Sequence, residues 1–362
     1  QGLRRQTCRR QDGRRQDGPA RRLIPVAIRL LLFIACLLVA SCGGGSPPPA
    51  GAQERPLEIR NSSQPFKIDE PAATQIGRLI WRGGIAMTAN SPHFGGWSDL
   101  HVTADGRSLT SISDEGAWLT ATIDYDAKGN LAGLSGGRIG QLRGLDGKPI
   151  ATKAEADAEG AARLPDGSWL VAFERHHRLW RYRTLTDTPM PVEGPAEIAR
   201  QPANGGIEAL TALSDGRVIA ISEEYGQRPG TAMGWIGTPI SGGGVSDGAY
   251  IWRSFDYATI PDFRPTAITL LPDGSFATLE RAFDMVRGVR CRVMRFDAAQ
   301  LAPGTTVRAE ELARLASPYA VDNLEGMAAT VGARGETLLW LMSDDNFNPL
   351  QRNILLLFEL AK

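Results

Sequence analysis

An all-β fold, a β-propeller of four-stranded antiparallel blades, is predicted for residues 71–362, and three observations predict it. A hairpin signature recurs five times, at spacings of roughly 50 to 60 residues that suit one four-stranded blade per copy. The stretches between copies read as short apolar strands, with almost no helical periodicity. An unpartnered apolar segment, Arg78 to Met87, precedes the first copy, and the last copy lacks room for its own fourth strand after Leu360. If the N- and C-terminal strands share a blade, the ring closes and hides the edges that an open sheet would expose. The hairpin count gives five blades, or six if one hairpin has lost its turn.

Residues 1–42 read as a basic leader and lipoprotein signal peptide. The run Leu30 to Ala40 is uncharged and follows Arg21, Arg22 and Arg29. Eleven such residues are too few to cross a bilayer, which takes roughly 20, but they suit the apolar part of a secretory signal. Val39-Ala40-Ser41-Cys42 resembles the lipobox of bacterial lipoproteins, so Cys42 is the expected lipidation site. Gly43 after the cysteine points to the outer membrane, facing the periplasm. Residues 43–70 open with Gly43-Gly44-Gly45-Ser46-Pro47-Pro48-Pro49, a composition that buries no core, and are expected to form a flexible tether.

Charge and cysteine usage agree with an exported globular domain. Forty basic and 40 acidic residues balance, which removes the electrostatic case for nucleic acid as a partner. Eight arginines and two acids lie in the first 22 residues, so the remainder is mildly acidic. With the leader removed and Cys42 lipidated, Cys291 has no disulfide partner and reads as a small buried side chain in the strand Arg290 to Phe296.

Four hairpins carry an Asp-Gly pair: Asp105-Gly106, Asp166-Gly167, Asp215-Gly216 and Asp273-Gly274; a fifth keeps Gly335 alone. Asp-Gly between apolar runs signals a tight primed turn, in which both residues tolerate positive φ. Further strands are expected over Trp118 to Tyr125, Arg178 to Tyr182, Tyr250 to Phe255, Arg290 to Phe296 and Asn353 to Leu360. The tryptophans Trp97, Trp118, Trp169, Trp180, Trp252 and Trp340 fall in or near strands and read as packing between blades.

Acidic residues recur at fixed distances from these turns. Glu159 stands seven residues before Asp166 and Glu174 eight after it; Glu208 and Glu223 flank Asp215 in the same way. Glu325 and Asp344 flank Gly335 at similar distances, Glu280 ends the fourth hairpin, and Asp114 ends the first. A hairpin returns both ends to one edge of its sheet, so these acids are expected to ring one mouth of the central channel. Crowded carboxylates need a counter-charge. The candidates are a hard cation such as calcium, which takes oxygen ligands, or the neighbouring Arg175, Arg264 and Arg281.

Other motifs are weaker. His176 and His177, after Glu174, suit phosphate or metal but are also ordinary loop histidines. Ser241-Gly242-Gly243-Gly244 lacks the Gly-Lys-Ser/Thr end of a phosphate loop, and no Gly-x-Ser-x-Gly elbow occurs.

Asp157-Ala158-Glu159-Gly160, Leu164-Pro165-Asp166-Gly167 and Phe173-Glu174-Arg175-His176-His177 resemble the phytase-like domain family, whose name also records esterase-like activity of phytase. Gly206-Ile207-Glu208, Asn323-Leu324-Glu325-Gly326 and Ser343-Asp344-Asp345-Asn346-Phe347 carry the same likeness, over about residues 76 to 361. The resemblance implies hydrolysis of esters or phosphate esters, by kinship with propeller phytases that use calcium in an acidic channel mouth. Two readings follow. In the first, Glu159, Glu174, Glu208, Glu223, Glu280, Glu325 and Asp344 supply ligands to a cation, and Arg175, His176 and Arg281 steady the anion of an ester substrate. In the second, a non-catalytic propeller presents its loops to an envelope protein partner.

Overall fold

Each Asp-Gly signature turns the chain from the innermost strand of a sheet to its second strand. The computed structural model describes residues 54–240 and 248–361, and within them five antiparallel sheets form a ring. The innermost strands are His101–Val102, Ala158–Arg163, Ile207–Ala212, Arg264–Leu270 and Asn323–Val331, which define blades one to five. Their residues line a central channel of about 170 Å³. Leu79–Ala89 pairs with Asn353–Leu360 in blade five, so the two ends of the domain close the ring as expected. The five further strands expected from the sequence are all present. The leader, Cys42 and the glycine run after Ser241 lie outside the described residues.

The turns are not the expected primed type. Gly167, Gly216 and Gly274 lie at φ 85, 86 and 84, but none of the preceding aspartates takes positive φ. Gly167 N–H donates to Leu164 O, and Asp166 Oδ1 accepts from Ser168 N–H. This is a type I turn closed by a left-handed glycine, which explains why Pro165 and Pro272 fit at its second position.

Residues 55–63, expected within the tether 43–70, already belong to the sheets, so the domain starts before residue 71. Arg55–Leu57 adds an outer strand to blade one, and Ile59–Ser63 adds one to blade five. Both segments are polar, and their hold on the domain is backbone hydrogen bonding at sheet edges, which leaves little trace in the hydropathy.

Five hydrophobic layers make the core, one between each pair of neighbouring blades. The layer between blades five and one holds Trp97 and Trp340, both fully buried; that between blades one and two holds Trp118 and Trp169. Cys291 is buried between blades four and five. Burial of one such large apolar side chain stabilises by about 1.5–3 kcal/mol.

One irregularity repeats. The innermost strand is bulged at Glu159, Glu208, Thr266 and Glu325, each left without a pairing partner on the second strand. A bulge re-aims its side chain, and in blades two, three and five it turns a glutamate toward the same opening, while the buried Thr266 hydroxyl donates to Leu324 O. Small residues follow the bulge because neighbouring inner strands approach closely there. A Cβ on Gly160 would lie 2.5 Å from Glu208 O. Gly160→Ala is therefore expected to destabilise the domain by about 1–3 kcal/mol, measured as a lower urea midpoint with unchanged slope.

Candidate functional site

The three bulged glutamates open onto one cavity of about 450 Å³ at the channel mouth. Ten carboxylates line it against four basic side chains, Lys153, Arg175, Arg264 and Arg281. Blades two and three each contribute a bulged residue and the residue just after the second strand: Glu159 with Glu174, and Glu208 with Glu223. Blade five contributes its bulged Glu325 and Asp344, the last residue of its second strand, and Asp114 follows the second strand of blade one. The structure thus brings together six of the seven acids expected to hold a metal, from blades separated widely in sequence.

Glu280 is the exception. It is completely buried, bonded to Arg292 and to the hydroxyl of Tyr257 at 2.8 Å, and it does not line the mouth. The eighth residue after Asp273 is Arg281, so strand alternation gives the mouth to Arg281 and turns Glu280 into the layer between blades three and four. His176 is also misplaced by the sequence reading. It is exposed on the turn beyond the mouth and lines a separate pocket with Trp180, Arg178 and Leu145. His177 bonds Pro202 O at 2.8 Å and has no place in the cavity.

The basic groups divide the cavity into unequal halves. Lys153 Nζ lies 2.9 Å from Asp157 Oδ1 and also pairs with Asp114, and Arg175 pairs with Asp157 from a left-handed backbone at φ 54. Arg281 donates to Asn323 Oδ1 at 2.6 Å and lies 3.2 Å from Glu223 and 3.5 Å from Glu325. Arg264 pairs with Glu224 at the rim. Glu159 and Glu208 receive no hydrogen bond or ion pair from any described residue. Two groups of carboxylates have oxygens within 4.8 Å of one another: Asp114, Asp157 and Glu159, and Glu174, Glu208 and Glu223. In the first, Lys153 and Arg175 pair with Asp114 and Asp157 and leave Glu159 unmatched, whereas the second has Arg281 alone, at Glu223.

Burial raises the pKa of Asp114, Glu159, Glu174, Glu208, Glu325 and Asp344, and repulsion from neighbouring carboxylates adds to it. Glu174 is pushed up to about 7 against the N–H of Gly206, and Glu325 to about 7 despite Arg281. Asp344 rises to about 9 by burial and the charges of Glu325 and Asp114. Glu159 and Glu208 are held well above the ordinary range by burial and by Glu325 or Glu223. For Arg281 burial acts downward, but Glu325, Glu208 and Glu223 outweigh it and hold the guanidinium charged. Below the mouth, burial lifts Asp99 to about 8 against the lowering effect of the nearby Leu100 and Ala161 backbone.

The sign of the pH dependence follows. The folded domain keeps protons on Glu174, Glu325 and Asp344 at pH values where the unfolded chain has lost them. The stability these groups contribute is therefore full only below about pH 4, where the unfolded chain is protonated too, and is lost as pH rises from there through 7 toward 9. One carboxyl moved from 4.5 to about 7 accounts for about 3 kcal/mol. Cation-free protein is expected to lose about 5 °C or more of Tm between pH 5 and 9 in thermal melts.

Sequence reasoning missed Asp157 and Lys153 as site residues. Both belong to the short helix Lys153–Ala156 and its cap, placed between blades, where no hairpin spacing reaches. The i,i+4 pairing of a lysine with an aspartate was the available signal.

Several solved structures are similar to the chain. The endo-arabinase from Bacteroides thetaiotaomicron is 8% identical with a TM-score of 0.44, over 75% of this chain and 95% of that chain. The β-propeller domain of Myceliophteria thermophila Cps50 is 12% identical with a TM-score of 0.39, over 83% and 99%. A luciferin-regenerating enzyme is 10% identical with a TM-score of 0.37, over 74% and 95%. No curated protein sequence matches. A family model described as phytase-like, esterase-like activity of phytase, matches residues 92–347, and the chain belongs to that family.

Proposed function

We propose that the channel mouth is a divalent-cation site that hydrolyses esters, with calcium the favoured ion. The observation that carries this reading is the unmatched charge around Glu159, Glu174, Glu208 and Glu223, two of which receive nothing from the described residues. The donor set is all carboxylate oxygen, which suits a hard cation and not a thiolate- or imidazole-seeking one. When bound, such an ion supplies a fixed positive charge that polarises an ester or phosphate-ester oxygen and lowers the pKa of water.

The chain's own groups divide the remaining work. Glu325 is held through Oε1 by Asn323 at 2.9 Å, and its other oxygen is free to take a proton. A carboxylate near pKa 7 is suited to general base catalysis at neutral pH. Arg175 and Lys153 stand at the rim, partly exposed, where they meet the anionic part of a substrate. Arg281 is engaged through both terminal nitrogens with Glu223, Glu325 and Asn323, so its part is to hold those carboxylates in place.

Purified protein should hydrolyse members of a panel of carboxylic and phosphate monoesters, lose that activity on chelation and regain it with calcium. Inactivity toward the whole panel with every cation would leave the alternative of a non-catalytic envelope scaffold. We further propose export with lipid attached at Cys42 and residence at the outer membrane. Palmitate labelling that is abolished by Cys42→Ser tests the attachment.

A further inference from the structure

We propose that the face carrying the acidic mouth is also the surface by which the domain rests on a lipid bilayer. The second strand of blade four, Phe276–Asp284, continues three residues past the mouth-lining Arg281 before it turns. At about 3.3 Å per residue its tip stands some 10 Å above the cavity. That tip is apolar. Val286 is 94% exposed, Met285 89% and Phe283 60%, and Leu350, on the loop after Asp344, is 90% exposed. Asp262 pairs with Arg287 at 3.3 Å and joins the loop bearing the exposed Ile260 to the same tip.

Position, more than exposure, makes these side chains informative. The five most exposed large apolar residues among the described ones, these four and Ile68, all belong to loops or the strand tip on the mouth side. Ile68 is placed there by its bond to Pro318 O, in the connection that leads into blade five's inner strand. On the opposite face, with its five Asp-Gly or glycine turns, no large apolar side chain among the described residues exceeds Val331 at 53%. Scattered apolar exposure is ordinary, but its confinement to protruding loops on one side marks an interaction face.

The path of the chain selects a bilayer as the occupant. Arg55 pairs with Ile139 near the mouth end of the strand Leu131–Gln141, so the polypeptide enters the domain on the mouth side. Leu360 ends on the far side, where it pairs with Leu79. Twelve residue steps separate Cys42 from Glu54, a reach of at most about 40 Å. A lipid on Cys42 therefore holds the mouth face toward the membrane. This part of the argument rests on the proposed anchor; the apolar rim does not. Carboxylates outnumber bases around the mouth, so a bilayer of low negative charge is favoured over an anionic one.

The test uses protein beginning at residue 43, without lipid, since every strand among the described residues lies between Arg55 and Leu360. Flotation with phosphatidylcholine vesicles is expected to carry wild-type protein to the lipid fraction. The double change Met285→Ser with Val286→Ser is expected to weaken partitioning by at least about tenfold. Leu350→Ser should weaken it too, whereas Val331→Ser on the far face should not. All of these side chains are exposed, and an unchanged Tm will show that the variants fold. Wild-type protein that stays with the aqueous fraction, or tip variants that float as well as wild type, would overturn the proposal. So would a concentration-dependent dimer that the same changes dissolve, because the rim would then cover a second copy. Hydrolysis of a short soluble ester should be untouched in the tip variants, so failure here and failure of the cation-site reading give different results.

Discussion

Replacing Glu159 and Glu208 together by glutamine is expected to weaken calcium binding by roughly 100-fold or more, because affinity at an oxygen site follows the charge of its ligands. Both side chains come from bulges, face the same cavity and accept nothing from the described residues, so the change removes two negative charges and no internal contact. The same change should raise the stability of cation-free protein at pH 8, since burial and like charge hold both carboxyls far above their ordinary pKa. The opposite movement of the two quantities is diagnostic. A structural ion pair would lose stability on losing a member, whereas a repulsive cluster assembled for a cation gains it. Isothermal titration with calcium and thermal melts in chelator measure the two on one preparation.

Arg292→Leu is expected to destabilise the domain by about 3–5 kcal/mol. Glu280 is entirely buried and bonded to Arg292 and Tyr257, and without the guanidinium its charge has only a hydroxyl to meet it. Burial already pushes the Glu280 pKa upward against Arg292, so the variant will take up a proton there on folding and its deficit will grow with pH. The double replacement Arg292→Leu with Glu280→Leu should recover most of the loss, because an apolar pair of similar size carries no desolvation penalty. Urea denaturation of the two single variants and the double one forms the necessary cycle. Calcium affinity should stay the same in the double variant, which separates this buried pair from the mouth.

The fate of Glu280 shows what the sequence holds and what it hides. Turn signals located every blade, and the distances of Glu159, Glu174, Glu208 and Glu223 from their turns placed all four at one opening. Those distances work because a hairpin's two ends return to the same edge with fixed alternation. In blade four the acid stands one residue nearer the turn, and a single step along a strand reverses the face a side chain takes. Arg281 thereby gains the position that Glu174 and Glu223 hold elsewhere. The inner-strand bulges follow the same logic. They decide that Glu159 and Glu325 reach the mouth, yet a bulge shows itself only when two strands are laid side by side.

Other parts were illegible for different reasons. Arg55–Leu57 and Ile59–Ser63 join sheet edges through backbone bonds, so a polar, proline-containing stretch gave no apolar signal of its strands. Lys153 and Asp157 act from a connection between blades, where no repeat applies. His176 was attractive beside Glu174, but Arg175 occupies a left-handed turn there and carries the chain out of the cavity.

The most direct measurement is a crystal structure of the domain grown with calcium and read by anomalous scattering. The account predicts a peak among the carboxylates of Glu159, Glu174, Glu208 and Glu223, with Arg281 still against Glu223 and Glu325. A mouth without such a peak at millimolar calcium, its acids protonated and bonded to one another, would contradict it.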